Sequence, residues 1–549
     1  VSSDEYDAVV VGSGAGGGFA AMGLAEAGLR VLVLERGRRF LPDEFPMAHP
    51  DWESRPQVLH SAEAQPFSIA PGLGAELDVR RRHLHSRSLL SKPAGYLKVR
   101  GPFDYQRVVG LGGSTLHYDG EAHRFADYAF QSASTYGFGV DWPLAYPELE
   151  PWYARAERVL GVAGAPGNPF KPARGPYPTP AHPFNPATQR VADAASRLGW
   201  SMLPNPLALP SRPVDGRSAC QRSGGCALGC AYGAKSSTDR SALARAERTG
   251  RLTILTGARV VRLLQARDGS VAGVVFRRAG EEHRASARAY VLGLGAVETP
   301  RLLLASELAN ASGKVGCYFM ELVFASLTVR FERPLDPYVG PPIQARAWDF
   351  ARPAADGPRR GGFVLGVSGT TSGHHGPASY AMSIPGIGRA HKYAMREKFG
   401  TVASLFAIAE HEPRTGNRLV LDERVDEDGV PLVRVESAYS ETDCRTLEAM
   451  IARLGDLAEA SGVIERLHLL TTYARGTSTH VGGGCRMGSD PAESVVDPWG
   501  RAHEVPNLFV TDASVLPGQG AGDSPSLTIQ ALALRTADRI AQAMRRREI

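Results

Sequence analysis

The chain has 549 residues, 43% hydrophobic and 22% charged, which excludes an intrinsically disordered protein and implies two or three packed domains. A net charge of +5 is too weak for nucleic-acid binding, and the basic clusters at 80–82 and 545–547 are short enough to be solvated surface. No apolar run approaches the roughly 20 residues of a membrane helix, and no leader precedes the first strand, so the expectation is a cytoplasmic protein, or a periplasmic one whose leader was removed.

Residues 9–11, three valines, read as a strand that runs into Gly12-Ser13-Gly14-Ala15-Gly16-Gly17. A helix of small residues follows, then a strand at 31–34 ending in Glu35. This is a dinucleotide fingerprint in its βαβ setting. Gly12 allows the tight turn, Gly14 lets a pyrophosphate approach the backbone, and Gly17 lets the helix pack on the strand. Glu35 stands where a carboxylate accepts from a ribose hydroxyl.

Residues 40–98 are rich in proline and arginine and show little periodicity. A second glycine cluster spans 108–118 and contains Gly112, Gly113, Ser114 and His117. The Pro/Gly-rich stretch 161–186 predicts a crossing between domains. Residues 252–264 and 271–277 alternate around Asp268-Gly269 like a hairpin, and 417–435 turns likewise at Asp428-Gly429. A short strand at 290–294 precedes a helix at 299–305. Leu447, Met450, Ile451, Leu454 and Leu457 recur at helical spacing. A last strand at 508–510 and a helix at 527–544 complete the chain.

Strands and helices alternate at both ends, with hairpins between. The expected fold is therefore α/β plus α+β: a Rossmann-like nucleotide domain interrupted by a mainly antiparallel-sheet domain. Residues 1–160, 238–314 and 480–549 are assigned to the first, 161–237 and 315–479 to the second.

The fingerprint, the 110–118 cluster, the strand at 290–296 and the tail from Thr479 resemble the glucose-methanol-choline (GMC) family of FAD oxidoreductases. The tail reads THVGGGCRMGSDP and, from Ser524, SPSLTIQALALRTAD. In motifs the chain is nearest to bacterial FAD-dependent sugar and alcohol dehydrogenases. The resemblance implies that Gly12, Gly14, Gly17 and Glu35 hold the ADP half of FAD. Gly112, Gly113 and Ser114 would run beside the pyrophosphate and flavin. Val260 would follow the strand that meets adenine, and Asp512 and Ala513 would meet the pyrophosphate and ribityl chain. His117 aligns with a histidine that some relatives join covalently to FAD and others only pack against it.

His480 matches the family histidine that faces the flavin and the substrate hydroxyl. Oxidising an alcohol requires a base for the O–H proton, and imidazole titrates in the right range. Where the family carries Asn or His before a proline, this chain has Ser524. Ser-Pro is also a good helix start, with serine as N-cap. Ser524 cannot be the base, so an orienting role is assigned to it; Asp523 is a neighbouring alternative. The helix that follows would aim its positive end at the flavin.

Cys220, Cys226 and Cys230 form C-x5-C-x3-C in a glycine-rich loop. The spacing resembles the [3Fe–4S] motif of bacterial sugar dehydrogenases, which pass flavin electrons to a cytochrome partner or small subunit. No proline follows Cys230, and the segment also resembles a loop of long-chain alcohol oxidases in which no cluster is implied. Cys317, Cys444 and Cys485 are read as packing residues. Three activities stay open: a dehydrogenase using an acceptor other than oxygen, a peroxide-forming oxidase, and a redox-silent hydroxynitrile lyase or light-driven decarboxylase.

Overall fold

β-Branched side chains favour extended backbone, and Ala8–Val11 is a fully buried strand. The computed structural model describes residues 6–50, 90–91, 96–98, 104–105, 107–354, 361–369, 377, 380–381, 386–472, 477–478 and 480–549. Ala8–Val11 is the centre of a five-stranded parallel sheet, ordered Leu252–Thr256, Val31–Glu35, Ala8–Val11, Ala289–Leu292, Leu508–Val510. The helix Ala15–Glu26 packs against the terminal helix Ser526–Arg545. Gly23 permits the contact, since a Cβ there would come 2.8 Å from that of Ala537.

The second layer is a six-stranded sheet, ordered Glu465–Thr471, Leu322–Arg330, Val402–Glu410, Phe363–Ser368, Ile343–Ala347, Met202–Pro204. Every pairing in it is antiparallel. The helix Glu441–Ala460 covers one face. Its start is a reciprocal capping box: Ser440 Oγ accepts from the Asp443 N–H, and Asp443 accepts from the Ser440 N–H. Leu447, Met450, Leu454 and Leu457 form its buried stripe, while Ile451 stays half-buried at the stripe's edge. The fold is the expected one, a parallel nucleotide-binding sheet with an antiparallel sheet beside it.

One reading needs correction. The expected strand 252–264 is two strands, because Gly257 takes φ +68° and breaks the run. Leu252–Thr256 joins the parallel sheet, and Arg259–Gln265 enters a separate sheet with Val271–Arg278 and Glu281–Ala285. The second hairpin forms as expected, Arg418–Val425 against Pro431–Glu436. Most of 40–98 lies outside the described residues. Among the described residues, no helix is long and apolar enough to cross a membrane.

Candidate active site

The nucleotide end is built where Ala8–Val11 runs into Ala15–Glu26. Gly12 takes φ +90°, and a Cβ there would stand 2.6 Å from the Gly293 carbonyl oxygen. Cβ atoms on Gly16 and Gly17 would fall 1.9 Å from the Thr511 oxygen and 2.1 Å from the Gly12 oxygen. Gly14 is different: nothing lies within 4 Å of its missing Cβ, and no side chain caps the helix. Open space before uncapped helix N–H groups fits a pyrophosphate. Gly14→Ala is therefore expected to fold normally and to weaken FAD binding by about tenfold or more, seen as flavin lost on gel filtration. Gly17→Ala is expected to lower the melting temperature itself.

Glu35 is buried at the end of its strand. Its carboxylate accepts from the N–H groups of Ser13 (3.1 Å) and Gly37 (2.7 Å) and from Ser13 Oγ (2.5 Å). Burial lifts its pKa above the ordinary value, and these bonds only partly oppose the rise. Ser13 Oγ also accepts from the Gly112 N–H at 2.9 Å, so it joins the two glycine loops. Sequence reasoning missed Ser13 because it occupies a variable position of the fingerprint. Ala258 N–H donates to the Glu35 carbonyl at 2.9 Å, which brings the strand carrying Val260 beside the acid.

In the second glycine loop, Gly112 and Gly113 take φ +106° and +56°. Ser114 lies in the 3-10 turn Gly113–Leu116, which ends at the half-buried His117. Asp512 accepts from Gly295 N–H (2.9 Å), Thr299 Oγ1 (2.5 Å) and Ser514 N–H (2.8 Å). Its carboxylate thus ties its own turn to the segment 295–299.

The tail motif is pinned to that turn. Gly483, Cys485 and Met487 donate their N–H groups to the carbonyls of Ala513, Ser514 and Val515. His480 lies just before this ladder and is half-buried. Gln519 Nε2 donates to the His480 carbonyl at 2.7 Å, which ties the histidine to the loop leading into Ser524. That loop passes through left-handed conformations at Gly520, Ala521 and Gly522 (φ +66°, +59°, +90°). Glu410 holds it, accepting from the N–H groups of Gln519 and Ala521, both at 3.0 Å. Burial raises the Glu410 pKa despite those bonds.

Ser524 is buried, but it is not the side-chain cap expected for the last helix. Pro525 already has helical dihedrals (φ −77°, ψ −9°), the helix begins at Ser526, and the start carries no side-chain cap bond. Ser524 N–H instead donates to His123 Nδ1 at 2.9 Å. Asp523 is no free alternative to a catalytic base. It is ion-paired with Lys171 and accepts from Trp348 Nε1 at 2.8 Å. Burial acts to raise its pKa, but Lys171, with His123 beside it, outweighs that and holds the carboxyl well below the usual range. Glu410, His123, Lys171 and Trp348 carry no local motif, so the sequence offered no signal for them.

A model described as FAD binding domain matches residues 7–41, and two described as GMC oxidoreductase match 143–322 and 413–533. The chain is 32% identical to paromamine 6'-oxidase of Streptomyces fradiae, over 98% of this chain and 91% of that one. This chain belongs to the GMC oxidoreductase family. It is 30% identical to the 2-methyl-1,2-propanediol dehydrogenase of Mycolicibacterium austroafricanum, covering 98% of this chain and 96% of the relative. It is 29% identical to the fructose dehydrogenase large subunit of Gluconobacter japonicus, with 97% of each covered. Pyridoxine 4-oxidase from Mesorbium loti shares the fold, with a TM-score of 0.62 at 21% identity over 97% of this chain and 99% of that one. As a GMC oxidoreductase the protein uses FAD and acts on CH–OH donors.

Against this GMC frame the cysteine loop has a defined place. Lys235 is a fully buried cation, and all three of its ammonium donors are used. Lys235 Nζ donates to the carbonyls of Leu116 (2.8 Å), Tyr118 (3.1 Å) and Cys226 (2.7 Å). The first two flank His117, so one side chain joins the second glycine loop to the cysteine loop. Cys230 Sγ accepts from Lys235 N–H and Cys220 Sγ from Arg222 N–H, both at 3.4 Å. Burial pushes the Cys226 thiol well up, with Lys235 opposing. Among the described residues, no group of three or more His, Cys, Asp or Glu is placed to hold a metal ion. Cys485 is fully buried, as expected of a packing thiol, while Cys317 and Cys444 are half-buried.

Proposed function

We propose that the protein oxidises a hydroxyl of an alcohol or sugar to a carbonyl, and that the electrons leave through the cysteine loop to an acceptor other than oxygen. In this reading the substrate lies between His480 and Ser524. His480 takes the hydroxyl proton as the carbon–oxygen double bond forms. Ser524 orients the substrate oxygen and moves no proton. Gln519 fixes the histidine through its carbonyl, and Glu410 fixes the loop between the two residues. Bound FAD supplies the acceptor for the hydride that leaves carbon.

The observation that carries the electron route is the Lys235 junction. The buried Lys235 ammonium joins the second glycine loop, through the Leu116 and Tyr118 carbonyls, to the cysteine loop, through the Cys226 carbonyl, which supports a path between the two. A [3Fe–4S] cluster on Cys220, Cys226 and Cys230 would supply one-electron transfer to a cytochrome or small subunit. The naming of one relative as a large subunit supports such a partner. Anaerobically purified protein should contain about three irons and about four labile sulfides per chain. Cys226→Ser should lose both while keeping FAD. Iron-free wild type whose reduced flavin is rapidly reoxidised by oxygen would overturn the route and favour the oxidase, the activity named for the Streptomyces fradiae relative.

A further inference from the structure

We propose that His123 is a positioning residue for Ser524, the last link of a buried chain that ties the active-site serine to the six-stranded sheet. The inference deepens the reading above, since it rests on Ser524 meeting the substrate. A backbone N–H can only donate, so the 2.9 Å contact from Ser524 N requires an unprotonated Nδ1 on His123. The imidazole is therefore neutral, with its proton on Nε2, which donates to Asn205 Oδ1 at 2.6 Å. Asn205 Nδ2 in turn donates to Glu121 Oε1 at 2.8 Å and to the Ile343 carbonyl at 3.0 Å. Arg346 closes the chain with a two-pronged contact to Glu121, both bonds 2.7 Å.

Every member is buried, and Arg346 is on the sheet strand Ile343–Ala347. Trp348, just beyond that strand, sets its ring edge-on to His123 at 5.6 Å and donates to Asp523. Asp523 Oδ1 is 3.3 Å from the same Nδ1. With Nδ1 accepting from Ser524, the carboxylate takes its main partners from Trp348 and Lys171.

This arrangement suits a serine. An asparagine or histidine reaches far from the backbone and can adjust by rotating; serine places its oxygen one bond beyond Cβ. Whether its hydroxyl meets a substrate is then decided by where the backbone stands, and His123 holds that backbone by its amide. A misplacement of about 1 Å is enough to cost roughly a hundredfold in rate.

The test uses FAD-loaded protein and the alcohol or sugar that bleaches it best. His123→Leu removes the acceptor. His123→Asn restores one, because Asn Oδ1 falls near the place of Nδ1, but it abandons Asn205. The expected result is a KM raised about tenfold or more and slower bleaching in His123→Leu, with His123→Asn recovering most of the loss at an equal or lower melting temperature. No change in KM or bleaching in His123→Leu overturns the proposal. So does an equal loss in both variants, which marks a purely structural residue. Should His123→Leu fail to accumulate, Asn205→Ala leaves the ring in place but frees it to turn, and an unchanged KM there also overturns the proposal. Ser524→Ala separates the two layers of inference. If it leaves KM and bleaching untouched, the reading of Ser524 itself fails. If it impairs them while His123→Leu does not, only the positioning role fails.

Discussion

His480→Ala is expected to retain FAD and to slow substrate-driven flavin bleaching by about a hundredfold to ten-thousandfold, the usual worth of a positioned base. Retention follows from the geometry. The residues proposed to hold the cofactor are Gly12, Gly14, Glu35 and the Gly112–Gly113 turn, none of which is His480, and the tail ladder onto residues 513–515 uses backbone alone. The loss follows because the two carboxylates of the adjoining loop and strand cannot replace the imidazole. Asp523 is held ionised and enclosed by Lys171 and Trp348, and Glu410 is occupied by two backbone N–H groups. Stopped-flow absorbance under anaerobic conditions checks both halves. A variant that bleaches at the wild-type rate removes His480 from the chemistry.

Lys171→Met is expected to cost about 3–5 kcal/mol of stability, measured by denaturant unfolding, because it leaves the Asp523 carboxylate buried and without its cation. The double variant with Asp523→Asn should recover part of that loss. The pH dependence has a definite sign. Asp523 has a folded-state pKa held below its unfolded value, so its contribution is present above roughly pH 4 and is lost as the pH falls further. Asp523→Asn should flatten that part of the acid limb. An unchanged denaturation midpoint in Lys171→Met would show that the pair contributes nothing.

The nucleotide half of the molecule was legible because its physics is local. Gly12, Gly17 and Glu35 lie within one βαβ unit, and each glycine answers a backbone contact a few residues away or on the adjoining strand. The strands of the antiparallel sheet were not legible. Val402–Glu410 is buried at every position, so it shows no alternation to read. The tail histidine is named by its motif, whereas the residues around it carry no such signal. Ser524 and His123 meet across 401 residues, and Lys171 and Asp523 across 352. Such contacts are written in the fold alone. Gly257 shows the same limit on a smaller scale: one left-handed residue sends two neighbouring strands into different sheets.

The most direct test of the account is the anaerobic absorption spectrum of the FAD-loaded protein, titrated with a panel of alcohols and sugars. The account predicts flavin bands that bleach with at least one hydroxyl substrate, above a broad iron–sulfur absorption that changes with them. Flavin bands that persist across the panel while a cyanohydrin is cleaved, or while turnover requires illumination, would contradict it.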